Sequence, residues 1–171
     1  KLNIQACFFI LISSANYNIF EDENILFINK ILDLKQNIAL HYDNNCNCSV
    51  QFCHKILKFL VPKCLDLVSV HNPPSEIKKL KIQNLENIKS VYHKPFFYKE
   101  TYISDSNLRN NPIEILNKIK SNKKKLPIQL LIHPFNWMSS GNDIKEILNN
   151  TFQKKIRIID KSFRQNKNWN R

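Results

Sequence analysis

Four short apolar segments of this chain each end on a histidine or an aspartate, with turn-forming residues directly after. Short apolar segments rich in β-branched residues are typical of buried parallel strands. In α/β barrels, the side chains at the carboxyl ends of such strands converge on the active site. Four polar strand ends in one small chain therefore predict a catalytic rim. The residues at these ends are His41, His71, Asp105 and His133.

The first two of these strand ends carry types of side chain that suit a metal site. His41 and Asp43 are two residues apart at a strand exit, where the turn can bring both toward one point. An imidazole and a carboxylate suit a borderline divalent cation such as zinc. His71 precedes Asn72-Pro73-Pro74, a rigid turn that sets the direction of the ring. Taken one at a time, these residues could equally cap a turn or make a structural hydrogen bond.

The hydrophobic pattern along the chain alternates between strands and helices. Such alternation predicts a parallel sheet or barrel. We expect an α/β fold, a parallel, irregular or incomplete (β/α) barrel, with a single domain over residues 1–153. A basic tail, residues 154–171, would follow it, with a further strand at 154–160. Other strands are predicted at 4–12, at 88–92 and at the four segments of the rim, and helices at 24–35, 50–61, 75–85, 112–121 and 143–152.

Single residues predict where two of these helices begin, end and pack. Asn111 would cap the helix that Pro112 opens, and Pro62 would end the helix over 50–61. The inward face of the helix over 50–61 is predicted to hold Phe52, Ile56, Leu57 and Leu60.

Charge and glycine content weigh against several classes of function. The net charge of +12 normally suggests a nucleic-acid partner, but residues 151–171 alone carry +6 of it, outside the rim. Lys, Asn and Ile together make up 69 of the 171 residues, a composition that AT-rich codons produce without selection for charge. Gly141 is the only glycine, which excludes a phosphate-binding loop and a dinucleotide fingerprint. No stretch approaches the roughly 20 apolar residues of a membrane span, and we expect a cytoplasmic protein.

The five cysteines are an odd number and lack the paired spacing of a zinc ribbon. They are predicted to be free thiols in a reducing cytoplasm, with Cys7 in the core. Cys46, Cys48 and Cys53 lie close to His41 in the sequence. Metal or redox chemistry is the alternative at these three positions.

Several of these segments together resemble the NodB-type polysaccharide deacetylases, in the divergent branch found beside surface-polysaccharide genes. Residues 5–10, Gln-Ala-Cys-Phe-Phe-Ile, are similar to that family's I-x-A-T-F-F strand, and residues 37–41, Asn-Ile-Ala-Leu-His, to its E-I-G-x-H segment. Residues 70–74 fall where the family carries Arg-Pro-Pro, with His71 in place of the arginine. Residues 104–107 and 131–133 are similar to its aspartate motif and to its closing Leu-x-His motif. The resemblance covers about residues 4–137.

The resemblance implies a role for each matching residue. His41 is similar to the family's first metal-binding histidine, Asp105 to the aspartate that orients the catalytic groups, and His133 to the general acid. It also implies that a sugar substrate is bound near the rim. We expect this sugar to contact Asn72, Arg109 and Trp137. Trp137 would either stack on a sugar ring or belong to ordinary packing.

The chain departs from the family in two places. The second metal histidine falls at Asn45, so that Asp43 or His71 would supply the missing ligand. The family's Asp-Asp pair, which provides the catalytic base and a metal ligand, lies on a strand that would precede Lys1. We therefore expect the chain to be a fragment or processed form, and this fragment to be inactive if that pair is missing.

The function implied is metal-dependent removal of N-acetyl groups from a sugar of a surface polysaccharide, with a divalent metal, expected to be zinc. Two functions of other classes stay open. One is a non-catalytic carbohydrate-binding or scaffolding barrel in the same pathway. The other, less favoured, is a basic nucleic-acid-binding domain.

Overall fold

The computed structural model describes residues 4–14, 17–73, 87–106, 112–122, 127–134, 136, 141 and 143–165. The chain folds as α/β with parallel sheets, and it divides into two compact units, residues 1–96 and 97–171. The expected parallel α/β architecture is thus confirmed.

The first unit is built on a four-stranded parallel sheet. Its elements are β1 (Cys7–Leu11), α1 (Asp22–Asp33), β2 (Asn37–Asp43), α2 (Val50–Leu60), β3 (Leu67–His71) and β4 (Lys89–Ser90). The strand order β1-β2-β3-β4 follows the chain, and α1 and α2 form the first two crossovers. Because all the strands run in one direction, their carboxyl ends lie along one edge of the sheet.

The core of this unit lies where β2 and β3 pair at the centre of the sheet. Leu40 pairs with Val68, and both side chains are 0% exposed. The preceding residue of β2, Ala39, is also 0% exposed. Because successive residues of a strand face opposite sides of the sheet, this strand is buried on both faces. Continuous apolar burial of this kind is what parallel sheets covered by crossover helices require.

Helix α2 has the predicted length but not the predicted inward face. It begins after Ser49, whose hydroxyl accepts from the Phe52 amide at 3.2 Å, and its last residue is Leu60. The inward prediction for Phe52 is wrong, because this side chain is 52% exposed. Its buried residues are Val50, Cys53, His54 and Leu57, which follow the i, i+3, i+4, i+7 spacing of one helix face.

The second unit contains a two-stranded parallel sheet. Its elements are a 3-10 turn at Lys99–Thr101, β5 (Tyr102–Ser104), α3 (Pro112–Lys120), β6 (Gln129–Leu131) and α4 (Ile144–Arg164). Tyr102 pairs with Gln129, and Ser104 pairs with Leu131. The two strands therefore end side by side.

The strand expected at 154–160 is wrong, because helix α4 continues through these residues to Arg164. The β-branched run from Ile156 to Ile159 suggested a strand, but the apolar residues also continue the helical spacing of the residues before them. Asp143 caps the helix by accepting from the Glu146 amide at 2.9 Å, and Arg164 pairs with Asp160 one turn earlier. The pattern of residues 154–160 fits either a strand or a helix. The helix that precedes them extends through them, because adding residues to an existing helix is easier than nucleating a new one.

The remaining predicted elements are confirmed within the described residues. The strands at 4–12 and 88–92 correspond to β1 and β4, and the four rim segments to β2, β3, β5 and β6. The predicted helix at 75–85 and the cap Asn111 lie outside the described residues. No helix in the described parts of the chain is long and apolar enough to cross a membrane.

The thiol of Cys7 should make the stability of the folded protein fall at alkaline pH. Cys7 is predicted in the core, and the structure places it half-buried on β1. Burial raises the pKa of its thiol from the ordinary value of 9.0 to about 11. Because the folded state favours the neutral thiol, this stabilisation is complete below pH 9 and is lost as the pH rises toward 11. We expect the melting temperature to fall less steeply between pH 9 and pH 11 in Cys7→Ala than in the parent. Equal slopes in thermal melts of the two proteins would contradict this assignment.

Candidate functional site

His41 and His71 are in direct contact at the carboxyl ends of β2 and β3. The Nε2 atom of His41 is 3.3 Å from the Nδ1 atom of His71, and the rings meet edge to face at 86°. The contact follows from the sheet, because Asp43 pairs with His71 and side chains two residues apart on a strand share a face. His41, Asp43 and His71 therefore lie on one face of the first unit's sheet.

The side-chain amide of Asn72 contacts the second ring of this pair. Its side-chain nitrogen Nδ2 can only donate, and it lies 3.2 Å from the Nε2 atom of His71. With the amide in this orientation, the Nε2 atom of His71 accepts, and the Nδ1 atom of that ring can donate to Nε2 of His41. Asn72 has a positive φ of 46°, a conformation that asparagine tolerates better than most residues. Asn72, predicted to contact substrate, thus contacts a histidine ring.

The carboxylate of Asp43 is directed to its own turn. Its Oδ1 atom accepts from the Asn45 amide at 2.9 Å. Asn45, at the position of the family's second metal histidine, is exposed in this turn. In the described parts of the chain, no three His, Cys, Asp or Glu side chains are grouped so as to hold a metal ion. The histidine pair therefore presents two ring nitrogens in contact, with Asp43 on the same face of the sheet.

Asp105 and His133 form a second pair, at the carboxyl ends of β5 and β6 in the second unit. The Nδ1 atom of His133 is 2.6 Å from the Oδ1 atom of Asp105. The His133 amide donates to both carboxylate oxygens at 3.0 Å. Asp105 is 1% exposed, whereas the His133 side chain is 47% exposed. A buried carboxylate thus contacts one nitrogen of a partly exposed imidazole ring.

Asn136 supports this pair and was not predicted from the sequence. Its Nδ2 atom donates to the Asp105 carbonyl at 3.0 Å. Its own amide donates to the His133 carbonyl at 2.9 Å, which closes a turn directly after the histidine. The Pro-x-Asn sequence that follows His133 was a usable signal, because proline and asparagine favour such turns.

The structure thus brings the predicted residues together as two pairs, one in each unit. Arg109 and Trp137 lie outside the described residues. The five cysteines are free thiols, as predicted. The parallel pairing of β2 with β3 and of β5 with β6 is the physical cause of both contacts.

Comparison of the chain with protein-family models, with curated proteins and with solved structures gave no match.

Proposed function

We propose that this protein is a metal-dependent hydrolase that removes N-acetyl groups from a sugar of a surface polysaccharide, in the cytoplasm, on an irregular or incomplete (β/α) barrel. The observation that supports this most is the contact between Asp105 and His133 at 2.6 Å. The two residues come from the segments that resemble the family's aspartate motif and its closing histidine motif. An aspartate that orients a general-acid histidine has to make such a contact.

His133 is the proton donor in this proposal. Hydrolysis of an amide adds water to the carbonyl carbon and breaks the carbon–nitrogen bond, and the amine leaves with a proton. Because Asp105 accepts from Nδ1, the ring presents Nε2, and the side chain is exposed enough to reach a substrate. Asp105 keeps the ring in this tautomer and orientation.

His41 and His71 would hold the divalent cation. Each nitrogen ligand lies about 2.0–2.1 Å from a zinc ion, so two ligands of one tetrahedral ion are about 3.3 Å apart. The observed separation of 3.3 Å between the two ring nitrogens fits two adjacent positions of such an ion. Asp43 is the third candidate ligand. A bound divalent cation supplies Lewis-acid polarisation of the amide carbonyl and a more acidic water.

Asn72 would support His71 in this arrangement. A ring that binds a cation through Nδ1 carries its proton on Nε2, and it usually donates that proton to a nearby acceptor. The Asn72 amide already contacts Nε2 of His71 at 3.2 Å, and rotation of its side-chain amide presents the oxygen as the acceptor. The substrate role expected for Asn72 thus becomes a role in orienting a ligand.

Removal of the metal should sharply lower the rate at which the protein releases acetate from N-acetylglucosamine oligomers. The contribution of a catalytic metal is several kcal/mol, so treatment with a chelator should lower the rate by about 10²–10³-fold. Zinc should restore the rate and magnesium should not, because imidazole ligands favour the softer ion. Acetate is measured by a coupled assay, and bound metal by elemental analysis.

Three results would contradict the proposal. Acetate release that continues at the parent's rate after complete metal removal would exclude a metal-dependent hydrolase. Oligosaccharide binding by calorimetry without acetate release, in zinc-loaded protein, would identify a non-catalytic carbohydrate-binding protein. Tight polynucleotide binding with a steep salt dependence, without either activity, would identify a nucleic-acid-binding domain.

A further inference from the structure

Helix α4 carries an exposed apolar stripe on one of its sides. The stripe consists of Leu148, Phe152, Ile156 and Ile159, whose residues are between 43% and 62% exposed. At about 100° of rotation per residue, all four side chains fall within an arc of about 80°. Large apolar side chains gathered on one exposed face mark a surface that binds another molecule.

The buried face of α4 is a different one. Ile147 is buried and Thr151 is half-buried, and these two positions are centred about 120° around the helix from the stripe. From Ile156 to Arg164 every residue of the helix is exposed. Because helices gain most of their stability from packing an amphipathic face, this exposed half implies an external surface on which the helix packs.

The side of α4 opposite the stripe is cationic. Its exposed basic residues are Lys154, Arg157, Lys161 and Arg164. Their spacing puts them within an arc of about 80° whose centre is about 160° from that of the stripe. Residues 154–164 hold five basic side chains and one acidic side chain, a net charge of +4. The acidic residue, Asp160, pairs with Arg164 at 2.7 Å. This half of the helix thus combines an apolar face with a cationic polar face.

We propose that α4 lies flat on an anionic lipid bilayer, with its apolar stripe at the boundary between the headgroups and the acyl chains. Helices that bind at this boundary carry Phe and Leu on one face and Lys and Arg on the other. The negative potential of an anionic leaflet attracts the cations over about 10 Å, which is the order of the diameter of a helix. The long stems of lysine and arginine also let their charged groups reach the headgroups.

Two other occupants of this surface fit less well. A second copy of the helix would bury the stripe, but the stripe spans about two heptads, whereas coiled coils are indicated by roughly three or four. The net charge of +4 on each copy would also oppose pairing. A nucleic acid would neutralise the cations but leave the apolar stripe in water. An anionic bilayer accommodates both faces of the helix.

The test is flotation of the protein with phosphatidylcholine vesicles that contain about a third phosphatidylglycerol, and with vesicles of phosphatidylcholine alone. We expect the protein to float with the anionic vesicles at low salt and to be released as the salt concentration rises, because salt screens the attraction. Its affinity for phosphatidylcholine alone should be weaker by about tenfold or more, since the basic residues then have no anionic partner.

Two double variants test the two faces of the helix separately. Phe152→Gln with Ile159→Gln should lower the affinity for anionic vesicles by more than about tenfold, because two apolar side chains no longer enter the bilayer. Arg157→Gln with Lys161→Gln should lower it by about tenfold or more, because two cations are removed. Glutamine favours helix, and all four positions are exposed, so the fold should be kept. Phe59→Gln is the matched control and should bind as the parent does, since Phe59 is an 84% exposed apolar residue on α2.

Thermal melts accompany each measurement, and if one double variant melts early, the other, which changes the opposite face, decides. Equal affinity of the parent for both kinds of vesicle would overturn the proposal, and so would unchanged binding by a folded double variant. A dimer of the parent without lipid, in sedimentation analysis, that Phe152→Gln with Ile159→Gln dissociates would assign the stripe to a second copy. Binding of the parent to a DNA duplex but to neither kind of vesicle would assign the cationic face to nucleic acid. Either of these last two results also overturns the proposal.

Discussion

Replacing His133 with alanine should lower the rate of acetate release by about 10²–10⁴-fold, the usual contribution of general acid–base catalysis. Metal affinity and melting temperature should stay close to those of the parent, because the His133 side chain is 47% exposed and belongs to the pair with Asp105. Rate, zinc affinity and thermal stability are measured on the same preparation. His93→Ala is the matched control, since His93 is an exposed histidine in a turn of the first unit.

The role of Asp105 is tested by Asp105→Asn alone and together with His133→Ala. Asparagine keeps an oxygen that can accept from the His133 amide, but its neutral side chain no longer favours the proton on Nδ1. The single variant should lose rate, and the double variant should be hardly slower than His133→Ala, because residues that act as one unit are not additive. If His133→Ala melts early but keeps its turnover when folded, His133 is a structural histidine and the deacetylase role of this pair is wrong. Fully additive losses would show that Asp105 acts on something other than the ring.

His41→Ala should lose zinc affinity and acetate release together, because the ring is a ligand in the proposed site. The loss of affinity should exceed the roughly 10–100-fold cost of removing a residue that only orients a ligand. Asn72→Gly provides that comparison within the same site. Glycine removes the amide that contacts His71 and still accepts the positive φ of 46°, so the backbone is kept.

The expected order of zinc affinity is therefore parent, then Asn72→Gly, then His41→Ala, as measured by calorimetry on protein freed of metal. His93→Ala should match the parent. If His41→Ala binds zinc as the parent does, His41 is not a ligand, and its contact with His71 is then a structural hydrogen bond. If Asn72→Gly loses as much affinity as His41→Ala, the amide is itself a ligand and the assignment of the site has to change.

Much of the fold could be predicted from the sequence because its strongest signals are local. Apolar segments ending in polar turn residues predicted β2, β3, β5 and β6, and helical periodicity predicted α1 and α2 within two residues. Local signals failed where a pattern fits two periods, as at 154–160, where helix α4 continues. They failed also at Phe52, because the inward face of α2 depends on what packs against it.

The amino-acid sequence by itself determined which residues stand at the ends of strands, since strand length and turn chemistry are encoded within a few residues. Only the tertiary structure decided which of those ends touch. His41 meets His71 because β2 pairs with β3 in a register that places Asp43 opposite His71, and Asp105 meets His133 because β5 pairs with β6. The contact of the Cys48 amide with the Cys46 sulfur likewise depends on the turn that follows β2. Register and turn geometry are set by packing and hydrogen bonds between distant segments, which no local pattern records.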